Sequence, residues 1–133
     1  MKTKDFSIQN SDNHICFHLH YPGEGLDFKA IIKYEYPWRA ITLEHDWGIG
    51  MEQLQAFLEE LTSMQNSLTG KANLSSFEGD SIVLSIIDEL GHIDVEIKDG
   101  LRDSDAYLQI CFRIDQSYLP DIIKQMEALC TSN

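Results

Sequence analysis

The sequence predicts an α+β fold: a single antiparallel sheet of about six to eight strands with two amphipathic helices packed on one face. Three observations carry this. Runs of alternating apolar and polar residues lie on both sides of one long segment with helical periodicity, the chain closes on a second such segment, and the connections between runs are short. Two helices cover one face of a sheet of that size and leave the other at least partly wet.

The long helical segment, Met51 to Leu68, places Met51, Leu54, Phe57, Leu58, Leu61, Met64 and Leu68 at spacings of three and four, so they share a face. Glu52, Gln55, Glu59, Glu60 and Gln65 take the other side. Gly50 is a weak N-cap, Glu52 suits the positive end of the helix dipole, and Gly70 is the expected stop.

Ahead of this helix, residues 1–13 are polar apart from Phe6 and Ile8 and read as an edge strand or a loose arm. From His14 to His20 the alternation is clean, with Ile15, Phe17 and Leu19 opposite His14, Cys16, His18 and His20. Tyr21-Pro-Gly-Glu-Gly25 has the chemistry of a turn. Leu26 to Glu35 alternates again, and Pro37, which lacks an N–H, separates it from a third strand over Trp38 to Trp47. There Ile41 and Leu43 share a face while Glu44 and Asp46 point the other way.

Beyond the helix, Ala72 to Phe77, Ser81 to Asp88, Gly91 to Lys98 and Asp105 to Asp115 read as an antiparallel meander. Ser81 to Asp88 is apolar on both faces and is expected to be central. Asp88-Glu-Leu-Gly91 reads as a tight turn. The last element, Tyr118 to Cys130, carries Leu119, Ile122, Ile123, Met126 and Leu129 at helical spacing, with Ser117 as its expected cap and Pro120 tolerated in the first turn. At 133 residues, with no break in composition, the chain reads as one domain.

Twenty-two acidic residues against ten basic ones give a formal charge of −12. Such a field repels phosphate backbones and anionic lipid, which argues against direct nucleic-acid or membrane binding; it would speed association with a basic partner or serve solubility alone. Three cysteines without CxxC spacing argue against a secreted disulfide framework or a cysteine zinc site and fit a reducing cytoplasm. No stretch approaches the roughly 20 apolar residues of a membrane span.

His14, Cys16, His18 and His20 share one strand face and carry good transition-metal donors. Side chains two apart on a strand are separated by roughly 6.5 to 7 Å at the backbone, so a site would need a third ligand from a neighbouring strand. A solvated face is the simpler reading, and no metal or cofactor is inferred. His45, His92 and the acidic pairs Glu59-Glu60, Asp88-Glu89 and Asp103 with Asp105 offer acid/base groups. There is nevertheless no GxSxG, HExxH, P-loop or GxGxxG to organise them, and no catalytic residues are assigned. The better candidate is a binding surface on the outer sheet face: Asp27, Glu35, Trp38, Glu44, Asp46, Asp94, Glu96 and Tyr107. Its carboxylates would steer a cationic partner and its aromatics would anchor it; the equal alternative is that Trp38 covers a sheet edge and the carboxylates maintain solubility.

Four blocks, WRAITLEHDWGIGMEQLQAFLEEL (Trp38 to Leu61), SLTGKANL (Ser67 to Leu74), GHIDVEI (Gly91 to Ile97) and CFRIDQSYLPDIIKQMEAL (Cys111 to Leu129), follow one another in an order that resembles the WapI-type immunity proteins of bacterial polymorphic-toxin systems. The resemblance implies a cytoplasmic protein that binds the C-terminal domain of a cognate toxin and blocks it without turnover or cofactor. Toxins of such systems are often nucleases with basic clefts, with which an acidic inhibitor is compatible. The alternative expectation is a small enzyme or ligand-binding domain with a pocket between sheet and helices.

Overall fold

A computed structural model describes residues 4–100 and 105–131. Asp103, half of one acidic pair noted above, lies outside the described residues. The elements in chain order are β1 (Lys4–Gln9), β2 (Ile15–Tyr21), β3 (Asp27–Tyr36), β4 (Arg39–Gly48), α1 (Met51–Ser67), β5 (Lys71–Ser75), β6 (Ser81–Ile86), β7 (His92–Gly100), β8 (Tyr107–Asp115), a 3₁₀ turn (Gln116–Tyr118) and α2 (Leu119–Cys130).

The α+β class holds, but the eight strands form two four-stranded antiparallel sheets, not one. Their orders are β1-β2-β3-β4 (sheet A) and β5-β6-β7-β8 (sheet B). Within each sheet every strand pairs with its sequence neighbours, and α1 separates β4 from β5, which do not pair. Alternation specifies which face of a strand is apolar; it carries no information on which edges pair. Both apolar sheet faces and the apolar stripes of the helices enter one core that includes Phe6, Phe17, Trp47, Phe57, Leu61 and Leu84, all essentially inaccessible to solvent. Phe6 meets Phe57 edge-on at 6.3 Å, and the Phe17 and Trp47 rings lie 5.2 Å apart. β6 is an interior strand, in keeping with its apolar composition.

The order of four strands then a helix occurs twice, and the helices are exchanged. α1 follows sheet A and packs on β5; α2 follows sheet B and packs on β1; the two helices also touch one another. The exchange deals with two sheet edges, whose unpaired backbone groups would otherwise recruit other strands. On β1 the Ser7 N–H donates to Gln125 Oε1 at 2.7 Å and Gln125 Nε2 donates back to the Ser7 carbonyl at 3.1 Å. On β5 the Asn73 N–H donates to Glu60 Oε1 at 3.0 Å. In each case a helix side chain stands in for a missing strand. Lys4 Nζ adds bonds to the Ala128 and Thr131 carbonyls at the end of α2.

Two terminal details differ from the sequence reading. α1 ends at Leu68 in the left-handed region (φ 55°), with its N–H on the Met64 carbonyl, two residues before Gly70. α2 is entered through the 3₁₀ turn, whose cap is Asp115 and not Ser117: the Asp115 carboxylate accepts from the Ser117 N–H at 2.8 Å and from its hydroxyl. Gly50 does cap α1, and its own N–H donates to Gln53 Oε1 at 2.6 Å while Gln53 Nε2 reaches the Ser75 carbonyl, tying the helix start to β5. Gly91, in the β6–β7 turn, has φ +82°, and a Cβ there would sit 2.7 Å from Gln116 Cδ.

Candidate functional site

The eight candidate surface residues do not form one patch. Asp27, Glu35, Glu44 and Asp46 lie on the outer face of sheet A, alternating with the buried Phe28, Ala30, Ile32 and Trp47. Asp94, Glu96 and Tyr107 lie on the outer face of sheet B, where Asp94 stands opposite Arg113 and Glu96 opposite Cys111. Two sheets replace one, so a single wet face becomes two.

Neither face is uniformly acidic. Lys29 Nζ lies 3.2 Å from Glu44, Arg113 Nε lies 3.0 Å from Asp94, Gln109 donates to Glu96, and Lys98 Nζ sits 5.8 Å from the Tyr107 ring centre. These exposed pairs contribute little to stability. They do mean that part of the acidic charge on each face is already answered by a neighbour.

Trp38 belongs to neither outer face. Tyr36 and Arg39 pair across a two-residue turn made of Pro37 and Trp38, so the tryptophan stands at the tip of the β3–β4 hairpin, 75% exposed. Its ring lies 5.2 Å from Tyr36, which lies 4.8 Å from Tyr34 and stacks on the His14 imidazole at 4.3 Å. Ile41, opposite Tyr34 in the register, is also exposed. The series Tyr34-x-Tyr36-x-Trp38 continues the apolar parity of β3 beyond the core. The sequence signal lies in that spacing, which alternation alone does not distinguish from a face that stays buried to the strand's end. Glu35 stands within the same hairpin, and its carbonyl is 2.7 Å from His14 Nδ1.

Two carboxylate–imidazole groupings join distant parts of the chain. Asp99 of β7 is wholly buried; its Oδ1 is 2.5 Å from His45 Nδ1, and its Oδ2 accepts from Trp47 Nε1 at 2.7 Å. That grouping bridges the sheets inside the core. On the outer face of sheet A, Asp5 Oδ1 lies 2.6 Å from His20 Nδ1 and 3.2 Å from His18 Nε2. The strand histidines singled out above thus gain a third group from β1, while Cys16 and His14 stay outside the cluster.

Hydrogen bonding from His20, with the nearby His18 charge, holds the Asp5 carboxyl below the usual aspartate range. Asp88 is lowered chiefly by its 2.6 Å bond from His92 Nδ1, and Asp115 by the side-chain and backbone bonds of Ser117. A carboxyl with a depressed folded-state pKa contributes stability that is complete above the unfolded value, about 3.9, and is lost as pH falls through the folded value. Carboxyl NMR titration should therefore give Asp5, Asp88 and Asp115 midpoints below that value, with His92→Ala raising the Asp88 midpoint. An Asp88 midpoint unchanged by that substitution would contradict the assigned cause.

A recess of about 270 Å³ lies where the end of α1 meets the β6–β7 turn, lined by Leu68, Gly70, Ile86, Ile87 and Asp88. It is not between sheet and helices, and Asp88 is already engaged with His92 and the Leu90 N–H. No convergent acid/base set forms there.

The sequence profile of the Immunity protein WapI-like family matches residues 26–132, from the start of β3 through α2. The chain belongs to this family. No curated protein and no solved structure matches it. In this WapI-like immunity protein the matched stretch contains the aromatic hairpin and both outer acidic sets, whereas β1 and β2 precede it. Among the described residues no helix is long and apolar enough to cross a membrane.

Proposed function

We propose that this WapI-like protein is the immunity partner of a polymorphic toxin and neutralises the toxin's C-terminal domain by binding it in the cytoplasm, without turnover. The observation that carries this reading is the family match over residues 26–132. The binding surface is centred on the β3–β4 hairpin, where Trp38 supplies an exposed aromatic anchor backed by Tyr36 and Tyr34. Such anchors carry a disproportionate share of interface energy. The partner is a basic domain, a nuclease among the candidates, because the formal charge of −12 accelerates encounter with a cation-rich surface and disfavours direct contact with nucleic acid.

Co-expression with the C-terminal domain of the toxin encoded immediately upstream tests the proposal. Cells producing both should grow, and the two chains should co-purify as a complex that weakens as salt rises. Death of cells that contain abundant folded protein, or failure of the two chains to associate, would end the assignment to that toxin.

A further inference from the structure

We propose that Asp5, His18 and His20 form a binding site for one divalent transition-metal cation, of which zinc is the representative, on the outer face of sheet A. The three donor atoms lie within 4.8 Å of one another, with Asp5 Oδ1 3.2 Å from His18 Nε2 and 2.6 Å from His20 Nδ1. A tetrahedral zinc with bonds of about 2.0 to 2.1 Å sets its ligand atoms roughly 3.3 Å apart. The Asp5–His18 separation already meets that spacing. The Asp5–His20 separation must open by under an ångström, replacing a direct hydrogen bond by a shared metal.

The backbone holds these donors in place. His18 and His20 are two apart on β2, an interior strand, and Asp5 of β1 is the register partner of His20. Each donor alternates with a residue that is fully buried: Phe6 beside Asp5, and Phe17 and Leu19 beside the histidines. Turning either strand to take these positions off the face would expose a core side chain. The imidazoles are about one-third exposed and Asp5 about half exposed, so water can complete the coordination shell.

Charge and donor type select the cation. The neighbouring cation Lys29, opposite His20 on β3, is drawn toward β4 by Glu44 at 3.2 Å, and the chain as a whole is strongly anionic. Two imidazole nitrogens with one carboxylate oxygen suit zinc, nickel, cobalt or copper, whereas magnesium and calcium favour oxygen donors alone. A bound ion would staple β1 to β2. Because β1 also receives α2, the ion would lock the contact between the first strand and the last helix.

The test is zinc titration of protein carrying no histidine tag, by calorimetry or competition with a chromophoric chelator, with magnesium as control. One equivalent of zinc should bind in the micromolar range or tighter, and thermal stability should rise with it. His20→Ala, His18→Ala and Asp5→Asn should each weaken binding at least tenfold, while His14→Ala and Cys16→Ser leave it unchanged. Long-range ¹H–¹⁵N spectra of the unsubstituted protein should show His18 Nε2 and His20 Nδ1 as the perturbed nitrogens, a result that needs no variant to fold. Millimolar binding, loss of binding in Cys16→Ser with His20→Ala unaffected, or perturbation of other imidazole nitrogens would each overturn the site.

Discussion

Replacing Asp99 by alanine is expected to cost about 2–5 kcal/mol, because it leaves two sheet A side chains without their hydrogen-bond partner at about 1–3 kcal/mol for each buried group left unsatisfied. Asp99 has no solvent exposure, and both of its oxygens are engaged by sheet A, one by His45 Nδ1 and one by Trp47 Nε1. Alanine would strand the Trp47 indole N–H inside the core and leave His45, about one-fifth exposed, without its carboxylate, and each buried polar group left unsatisfied carries its own desolvation penalty. The neighbouring residue is held by a second buried carboxylate: Asp80 Oδ1 accepts from the Gly100 N–H at 2.8 Å, and its Oδ2 accepts from the Ser76 hydroxyl at 3.0 Å. The bridge is thus seated on a fixed strand end and cannot easily relax. A domain stable by 5–15 kcal/mol would lose a large fraction of that margin. Asp99→Asn, which keeps one acceptor but turns the other position into a donor, should fall between wild type and Asp99→Ala. Urea unfolding of the two variants and of Trp47→Phe, completed by the Asp99→Ala/Trp47→Phe double variant, measures the coupling directly. A loss under about 1 kcal/mol for Asp99→Ala would mean that the two sheets are held by apolar contact alone.

That bridge also marks where sequence reasoning ran out. Strand and helix positions were legible because burial imposes a period: Phe28, Ala30 and Ile32 had to face one way, and Leu54, Phe57, Leu61 and Met64 had to share a stripe. Pairing of edges has no period, so two four-stranded sheets read as one. Asp99 falls just past the strand expected over Gly91 to Lys98, and nothing local announces a carboxylate whose partners lie 52 and 54 positions earlier. Leu58 had seemed a natural core position, yet it is only partly buried while its neighbours Phe57 and Leu61 are wholly enclosed. The surface was read less well than the core for the same reason. Parity assigned Glu44 and Asp94 to outward faces, and both are there, but parity could not place them on different sheets or foresee the cations beside them. Trp38 was singled out for its residue type, whereas the stack that supports it depends on Pro37 and Trp38 forming a two-residue turn and on His14 arriving from another part of the chain.

Trp38→Ala is expected to weaken binding of the cognate toxin domain by about 2 kcal/mol or more, roughly thirtyfold, while leaving the fold intact. The ring is 75% exposed and contributes little to the core, so its removal should barely move the unfolding midpoint. On association the same ring would lose its remaining water contact against a partner while Tyr36 and Tyr34 support it from behind. A second set of substitutions distinguishes this hairpin from the other candidate face. Asp94→Lys with Glu96→Lys reverses charge on sheet B without touching β3 or β4. If the interface is centred on the hairpin, that double variant should slow association and flatten its salt dependence, because distant charge acts through steering, and should leave the dissociation rate near wild type. Trp38→Ala should do the reverse and speed dissociation, since a contact anchor acts after encounter. The two kinetic signatures are opposite, so one surface-binding experiment on both variants decides between the faces. Fast dissociation in the sheet B variant with unchanged kinetics in Trp38→Ala would move the interface to Asp94, Glu96 and Tyr107 and leave the aromatic hairpin without a role in toxin recognition.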